Sequence, residues 1–138
     1  MTNHIMNTKL YRPLSQNEEL LAKEIVDSAY YVHKLLGPGL LESVYEICFC
    51  HELQKRGIKF KRQVPVPVVY DGKIFEAAFK LDVLVDELII CELKAVEKML
   101  PLFEAQILTY LRLSHKRLGF LINFNVVLIK NGIKRIIL

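Results

Sequence analysis

The run Phe79-Lys80-Leu81-Asp82-Val83-Leu84-Val85, then Asp86-Glu87, then Leu88-Ile89-Ile90-Cys91-Glu92-Leu93-Lys94-Ala95-Val96, decides how this chain is read. Both apolar segments are rich in aliphatic and β-branched residues and have the length of strands, with Asp86-Glu87 as turn material between them. Asp82, Glu92 and Lys94 interrupt these segments, and such side chains are almost never fully buried unless paired. Alternate side chains of a strand share a face, so Glu92 and Lys94 point the same way. A two-residue turn would set Val85 against Leu88 and leave Asp82 opposite Cys91, on the wrong face. A three-residue connection, Asp86 to Leu88, pairs Val85 with Ile89 and sets Asp82 opposite Glu92. That register also stacks Leu81, Val83, Val85, Ile89, Cys91 and Leu93 into one apolar face. A one-residue slip would exchange the two faces, so packing and chemistry select the odd-length connection together.

Two carboxylates and an ammonium on one face suit hydrolysis of a phosphodiester. Asp82 and Glu92 offer the oxygen ligands that Mg²⁺ prefers. Such an ion acidifies a bound water and offsets charge on the scissile phosphate. Lys94, beside that water, could orient it or take its proton. The same spacing also fits a plain ion-pair cluster at the end of a sheet.

Further motifs lie on either side. Gly39-Leu40-Leu41-Glu42-Ser43-Val44-Tyr45 reads GxxExxY, preceded by Val32-His33-Lys34-Leu35-Leu36-Gly37-Pro38 and followed much later by Leu121-Ile122-Asn123-Phe124. The Asp-x9-Glu-x-Lys arrangement resembles the signature of the PD-(D/E)XK nuclease superfamily, with Leu81 standing where that signature has Pro. Together these motifs resemble the small GxxExxY family within it, from about residue 17 to the C-terminus. The resemblance implies a restriction-endonuclease-like fold and a metal-dependent nuclease. It implies that Glu42 joins Asp82 and Glu92 around Mg²⁺, for which Mn²⁺ can substitute, with Lys94 as the fourth catalytic residue. Gln106 and Tyr110 match the Gln-x3-Tyr pair that helps bind nucleic acid in the RecB-like branch. Without the resemblance, Glu42 is an acid favoured in a first helical turn by the helix dipole. Tyr45 reads as packing or hydrogen-bonding support, and Glu46, one turn past Glu42, ranks below it as a ligand.

The 138 residues are expected to form one domain, burying roughly two-thirds of the unfolded surface. With 52% hydrophobic and 25% charged residues, general disorder is excluded. No apolar run reaches the length of a membrane span and Met1-Thr2-Asn3-His4 lacks a signal-peptide pattern, so the expectation is a cytoplasmic protein without a membrane partner. The three cysteines show no zinc spacing and read as buried, reduced thiols. The formal net charge of +4 gathers in Lys55, Arg56, Lys59, Lys61 and Arg62, in Lys116-Arg117, and in Lys130, Lys134 and Arg135. Such clusters suit a polyanion, with Lys61 and Arg62 the candidates for nucleic-acid contact; for the last group a solvated surface reads equally well.

Along the chain, residues 1–14 read as a tail or arm and 15–138 as a single nuclease-like domain. Ser15-Gln16-Asn17-Glu18 is a capping box, opening a helix with Leu20, Leu21, Ile25, Ala29, Val32 and Leu36 at helical spacing. His33 on its apolar side reads as a core histidine. After Gly37-Pro38-Gly39 a second helix runs from about Leu40 to Arg56, closed by Gly57. A strand over 58–70 contains Pro65 and Pro67 and reads as an edge or a bulge. Asp71-Gly72 is a hairpin turn, followed by strands near 73–85 and 88–96. A helix from Pro101 to about Leu113 leads to strands near 117–125 and 126–137, the last folded back or split at Lys130-Asn131-Gly132. The fold class expected is α/β: a mixed sheet in α-β-β-β-α-β order, with a preceding helix and a C-terminal strand or hairpin on one edge. Ile133, Ile136, Ile137 and Leu138 leave that edge apolar, which favours a homodimer. The alternative to an enzyme is a non-catalytic nucleic-acid or protein-binding module that keeps the nuclease fold.

Overall fold

The computed structural model describes residues 12–138, so most of the arm expected over residues 1–14 lies outside the described residues. Ser15 caps helix α1 (Gln16–Leu36): its Oγ accepts from the Glu18 amide at 3.1 Å, and its own amide donates to Glu18 Oε1 at 2.8 Å. Gly37, with φ 69°, ends the helix in a conformation that favours glycine. Helix α2 (Glu42–Lys55) starts two residues later than the sequence suggests, because Leu40 and Leu41 precede its first turn and Leu41 is extended. Strands β1 (Phe60–Tyr70) and β2 (Lys73–Val85) follow, joined at Asp71-Gly72, whose φ angles of 54° and 71° are those of a hairpin turn. Then come β3 (Ile89–Lys94), α3 (Pro101–Ser114), β4 (Leu118–Asn123), a 3-10 turn (Ile129–Gly132) and β5 (Ile133–Ile137). The last expected strand is therefore split, and only its second half joins the sheet.

The five strands lie in the order β1-β2-β3-β4-β5. All neighbours are antiparallel except β3 and β4, which run parallel through the α3 crossover, as the β-α-β order requires. Val85 pairs with Ile89, so the connection is the three-residue Asp86–Leu88. The proline-bearing β1 is an edge strand, where a missing ladder donor costs least.

Helices cover both faces. On one, Ile25, Ala29 and Val32 of α1 and Phe49 and Leu53 of α2 bury Val83, Val85, Ile89, Cys91, Leu93, Phe120 and Ile122. On the other, Ile107 and Leu111 of α3 pack on Leu84, Ile90, Val66 and Leu81. Gly119 lets α3 come close: a Cβ there would lie 2.8 Å from Ile107 Cδ1.

Leu81 corrects one expectation. It does not stack with Val83 and Val85 but lies on the α3 side. Strict alternation fails at Asp82, and it fails at the same level in β1: Phe60 packs with the α1–α2 core, whereas Val64 and Val66 pack with the α3 core. Gln63, between them, has φ 50°. Arg62 pairs with Val83 and Val64 with Leu81, while the pair that would join Gln63 to Asp82 is missing. The two strands change faces together and keep their register as far as Val66–Phe79, beyond which the pairing shifts at a bulge beside Pro67.

Candidate active site

The backbone ladder between β2 and β3 runs from Val85–Ile89 to Val83–Cys91 and stops there. One residue further on, side chains replace it. The Asp82 amide donates to Glu92 Oε2 at 3.0 Å, and the Leu93 amide donates to Asp82 Oδ2 at 2.9 Å. Both carboxylates thus occupy the split where the strands diverge, each held by the other strand's backbone. Glu92 is only 8% exposed. Burial pushes its carboxyl up to about 9 and the neighbouring Asp82 charge adds to this, while the Asp82 amide bond and Lys94 oppose the shift.

Lys94, half-buried, lies two residues beyond Glu92 at the end of β3. Its Nζ sits 4.4 Å from the ring centroid of Phe103, in the first turn of α3, a cation–π distance. Glu42 is the first residue of α2 and largely exposed. Partial loss of hydration raises its carboxyl, the Asp82 charge adds to this, and Lys94 pulls the other way. The four residues singled out by sequence therefore share one electrostatic neighbourhood. They do not all converge: among the described residues no three His, Cys, Asp or Glu side chains are grouped to hold a metal ion. Asp82 and Glu92 form the pair, and Glu42, exposed at the start of α2, feels the charges of Asp82 and Lys94.

The donor set suits a divalent cation. Two carboxyls pressed together in a half-buried cleft resist ionising side by side, and a cation between them would relieve that resistance. Each has a single oxygen engaged by a backbone amide. An all-oxygen pair of this kind matches a hard ion such as Mg²⁺.

Surrounding loops are tied to these residues. Tyr45, fully buried and stacked on Phe124 with ring centroids 4.7 Å apart, donates its hydroxyl proton to the Gly37 carbonyl at 2.6 Å and accepts from the Leu40 amide at 3.1 Å. This pins the loop that delivers Glu42. Asn123 exchanges two hydrogen bonds with the Val96 backbone, and the Phe124 amide donates to the Lys94 carbonyl at 2.9 Å. Together they fix the chain just after Lys94. Asn123 in the Leu121–Phe124 motif was the available signal for this clamp; nothing in the sequence pointed to Phe103.

The expected nucleic-acid residues separate into two groups. Tyr110 stacks on Phe79, their ring centroids 4.3 Å apart. Its hydroxyl is held above the usual value by burial and then by the charges of Glu92 and Asp82, and its ring packs on the α3-side cluster. Lys61 instead pairs with Glu87 at 2.8 Å, and Arg62 donates to Glu46 Oε2 through Nε at 3.0 Å and Nη2 at 2.8 Å. Glu46 is thereby committed to β1. His33 Nε2 lies 2.7 Å from the Val126 carbonyl, a partnered histidine packed against the α1–α2 core side.

No helix among the described residues is long and apolar enough to cross a membrane. Neither a curated protein nor a solved structure matches the chain. The family model that does match is that of the PD-(D/E)XK nuclease superfamily, over residues 19–136. Coverage of that extent, over a mixed sheet that splits at paired acids, means that the chain belongs to the PD-(D/E)XK nuclease superfamily.

Proposed function

We propose that this chain is a metal-dependent nuclease of the GxxExxY type, hydrolysing phosphodiester bonds of nucleic acid. The observation that carries the reading is the side-by-side placement of Asp82 and Glu92 in the strand split, with Lys94 on the same strand as Glu92. Asp82 and Glu92 would hold Mg²⁺ or Mn²⁺, with Glu42 completing the set from the α2 terminus. A bound divalent ion would supply a more acidic water and offset charge on the phosphate. Lys94 holds a proton-bearing group at the open end of β3, where it can orient a water or stabilise the departing charge. Phe103 beneath its ammonium limits where that group can go. Gln106 and Tyr110 line the α3 side and would contact the nucleic-acid strand. The Arg62–Glu46 and Lys61–Glu87 pairs must open, or tolerate phosphate alongside, for those two cations to contribute.

Incubation with single- and double-stranded DNA and RNA in a Mg²⁺ and Mn²⁺ series tests the proposal. Cleavage that is lost in Asp82→Asn and Lys94→Ala supports it; full activity in either variant, or no cleavage of any substrate, sinks it. That no three acids are grouped to hold an ion among the described residues favours a second reading, a binding module that keeps the nuclease fold. Metal-independent, salt-sensitive binding without cleavage would select that reading. Pairing of two copies through β5, the unblunted sheet edge, belongs to either reading, and a monomeric mass by light scattering at high concentration removes it.

A further inference from the structure

We infer that Glu46, Arg62 and Gln63 form a positioning unit that turns Asp82 into the strand split; its catalytic consequence rests on the nuclease reading, its geometry does not. Consecutive residues of a strand normally point to opposite faces. Arg62 and Gln63 nevertheless reach the same carboxylate: Arg62 bonds Glu46 Oε2, and Gln63 Nε2 donates to Glu46 Oε1 at 2.9 Å. They can do so because Gln63 adopts φ 50°. A residue with a Cβ holds that conformation at a cost, and keeps it where its surroundings over-determine it. Here the determinant is a carboxylate 7% exposed, on α2, with both oxygens engaged by the two side chains.

The consequence falls across the strand pair. Gln63 stands opposite Asp82, and theirs is the pair missing from an otherwise registered stretch of ladder. On one side of this level β1 and β2 face the α1–α2 core, on the other the α3 core. Asp82 is thus the residue at which β2 turns over, and its amide points to Glu92 rather than into a regular ladder. Glu46 sits one helical turn from Glu42, but it acts through β1, without touching the acid pair. Glu46, Arg62 and Gln63 are positioning residues.

The test exploits the conformation itself, since glycine adopts positive φ without help and valine does not. Gln63→Val, Glu46→Gln, Gln63→Gly and the Glu46→Gln/Gln63→Gly double variant are compared with the wild type. The readouts are amide hydrogen exchange at Asp82 and Leu93 and Mn²⁺ affinity by calorimetry. Gln63→Val and Glu46→Gln should lose protection at those two amides and bind Mn²⁺ about tenfold more weakly, with Val85 and Ile90 still protected. Gln63→Gly should match the wild type, and it should rescue Glu46→Gln, because glycine makes the Glu46 clamp dispensable. Equal protection in all variants, or no rescue by glycine, overturns the inference. Should Gln63→Val fail to fold, the rescue of Glu46→Gln decides alone. A wild type that binds no Mn²⁺ and cuts nothing defeats the nuclease reading, and the amide protection pattern still decides this one.

Discussion

Asp82 and Glu92 each bond to the backbone of the other's strand, Asp82 N–H to Glu92 Oε2 and Leu93 N–H to Asp82 Oδ2, where the β2–β3 ladder ends. The two acids are therefore both structural links and competitors for ionisation, Glu92 holding its proton beside Asp82. Those roles pull against each other in the metal-free protein. Glu92→Gln keeps the shape, keeps an acceptor and removes a carboxyl that must take up a proton to be buried beside Asp82. It should raise metal-free stability by about 1 kcal/mol, seen as a higher melting temperature, while reducing cleavage about a hundredfold or more. A variant that melts lower than the wild type without metal would show that the link outweighs the repulsion.

Divalent metal should stabilise the folded chain, because the unfolded chain has no assembled site. At a concentration a hundred times the dissociation constant the gain is about 2.7 kcal/mol. Mn²⁺ titrated into thermal melts should raise the midpoint for the wild type and leave Asp82→Asn unmoved. EDTA should abolish both the shift and cleavage.

Lys94→Ala should lower the cleavage rate by about 10²–10⁴-fold, the range for loss of a proton-handling group. Lys94→Arg should not restore it, since a planar guanidinium over Phe103 presents its donors differently from a compact ammonium. Steady-state rates with one oligonucleotide substrate compare the three proteins.

Gly132 has no room for a side chain: a Cβ there would lie 2.1 Å from the Asn123 carbonyl oxygen. Asn123 clamps the chain beyond Lys94 through Val96. Gly132→Ala should cost about 1–3 kcal/mol in urea unfolding. It should also lower cleavage at temperatures where the variant is still folded.

The thiols supply a pH dependence. Burial pushes Cys50 up to about 12 and Cys91 well above the ordinary range. An unfolded thiol ionises near about 8.5, so between that pH and 12 the unfolded chain releases protons that the folded chain keeps. Stability due to these groups is thus full below about 8.5 and falls as the pH rises. Urea midpoints should drop from pH 8 to pH 10.5, less steeply in Cys50→Ala. In the folded protein at pH 8 a thiol reagent should reach the half-buried Cys48 and spare Cys50 and Cys91.

Much of this protein follows from local pattern. The apolar runs and their interruptions specify the strands, and the odd connection Asp86–Leu88 follows because a two-residue turn would set Asp82 opposite Cys91, away from Glu92. The capping box at Ser15, the turn at Asp71-Gly72 and the edge placement of Pro65 and Pro67 are equally short-range, set by backbone chemistry within a few residues. The acid-x-Lys triplet was legible for the same reason: charges inside strands stand out. Tertiary structure decided the rest. Alternation placed Leu81 beside Val83, but Glu46, seventeen residues from Gln63 in the chain, bonds a left-handed residue opposite Asp82 and both strands turn over there. Neither the pairing of Arg62 and Lys61 with acids nor the seat of Lys94 on Phe103 has a periodic signature, since each joins separate elements. The position of Glu42 likewise depends on how α2 docks on the sheet, where Tyr45 stacks on Phe124, a contact between separate elements that no spacing along the chain encodes.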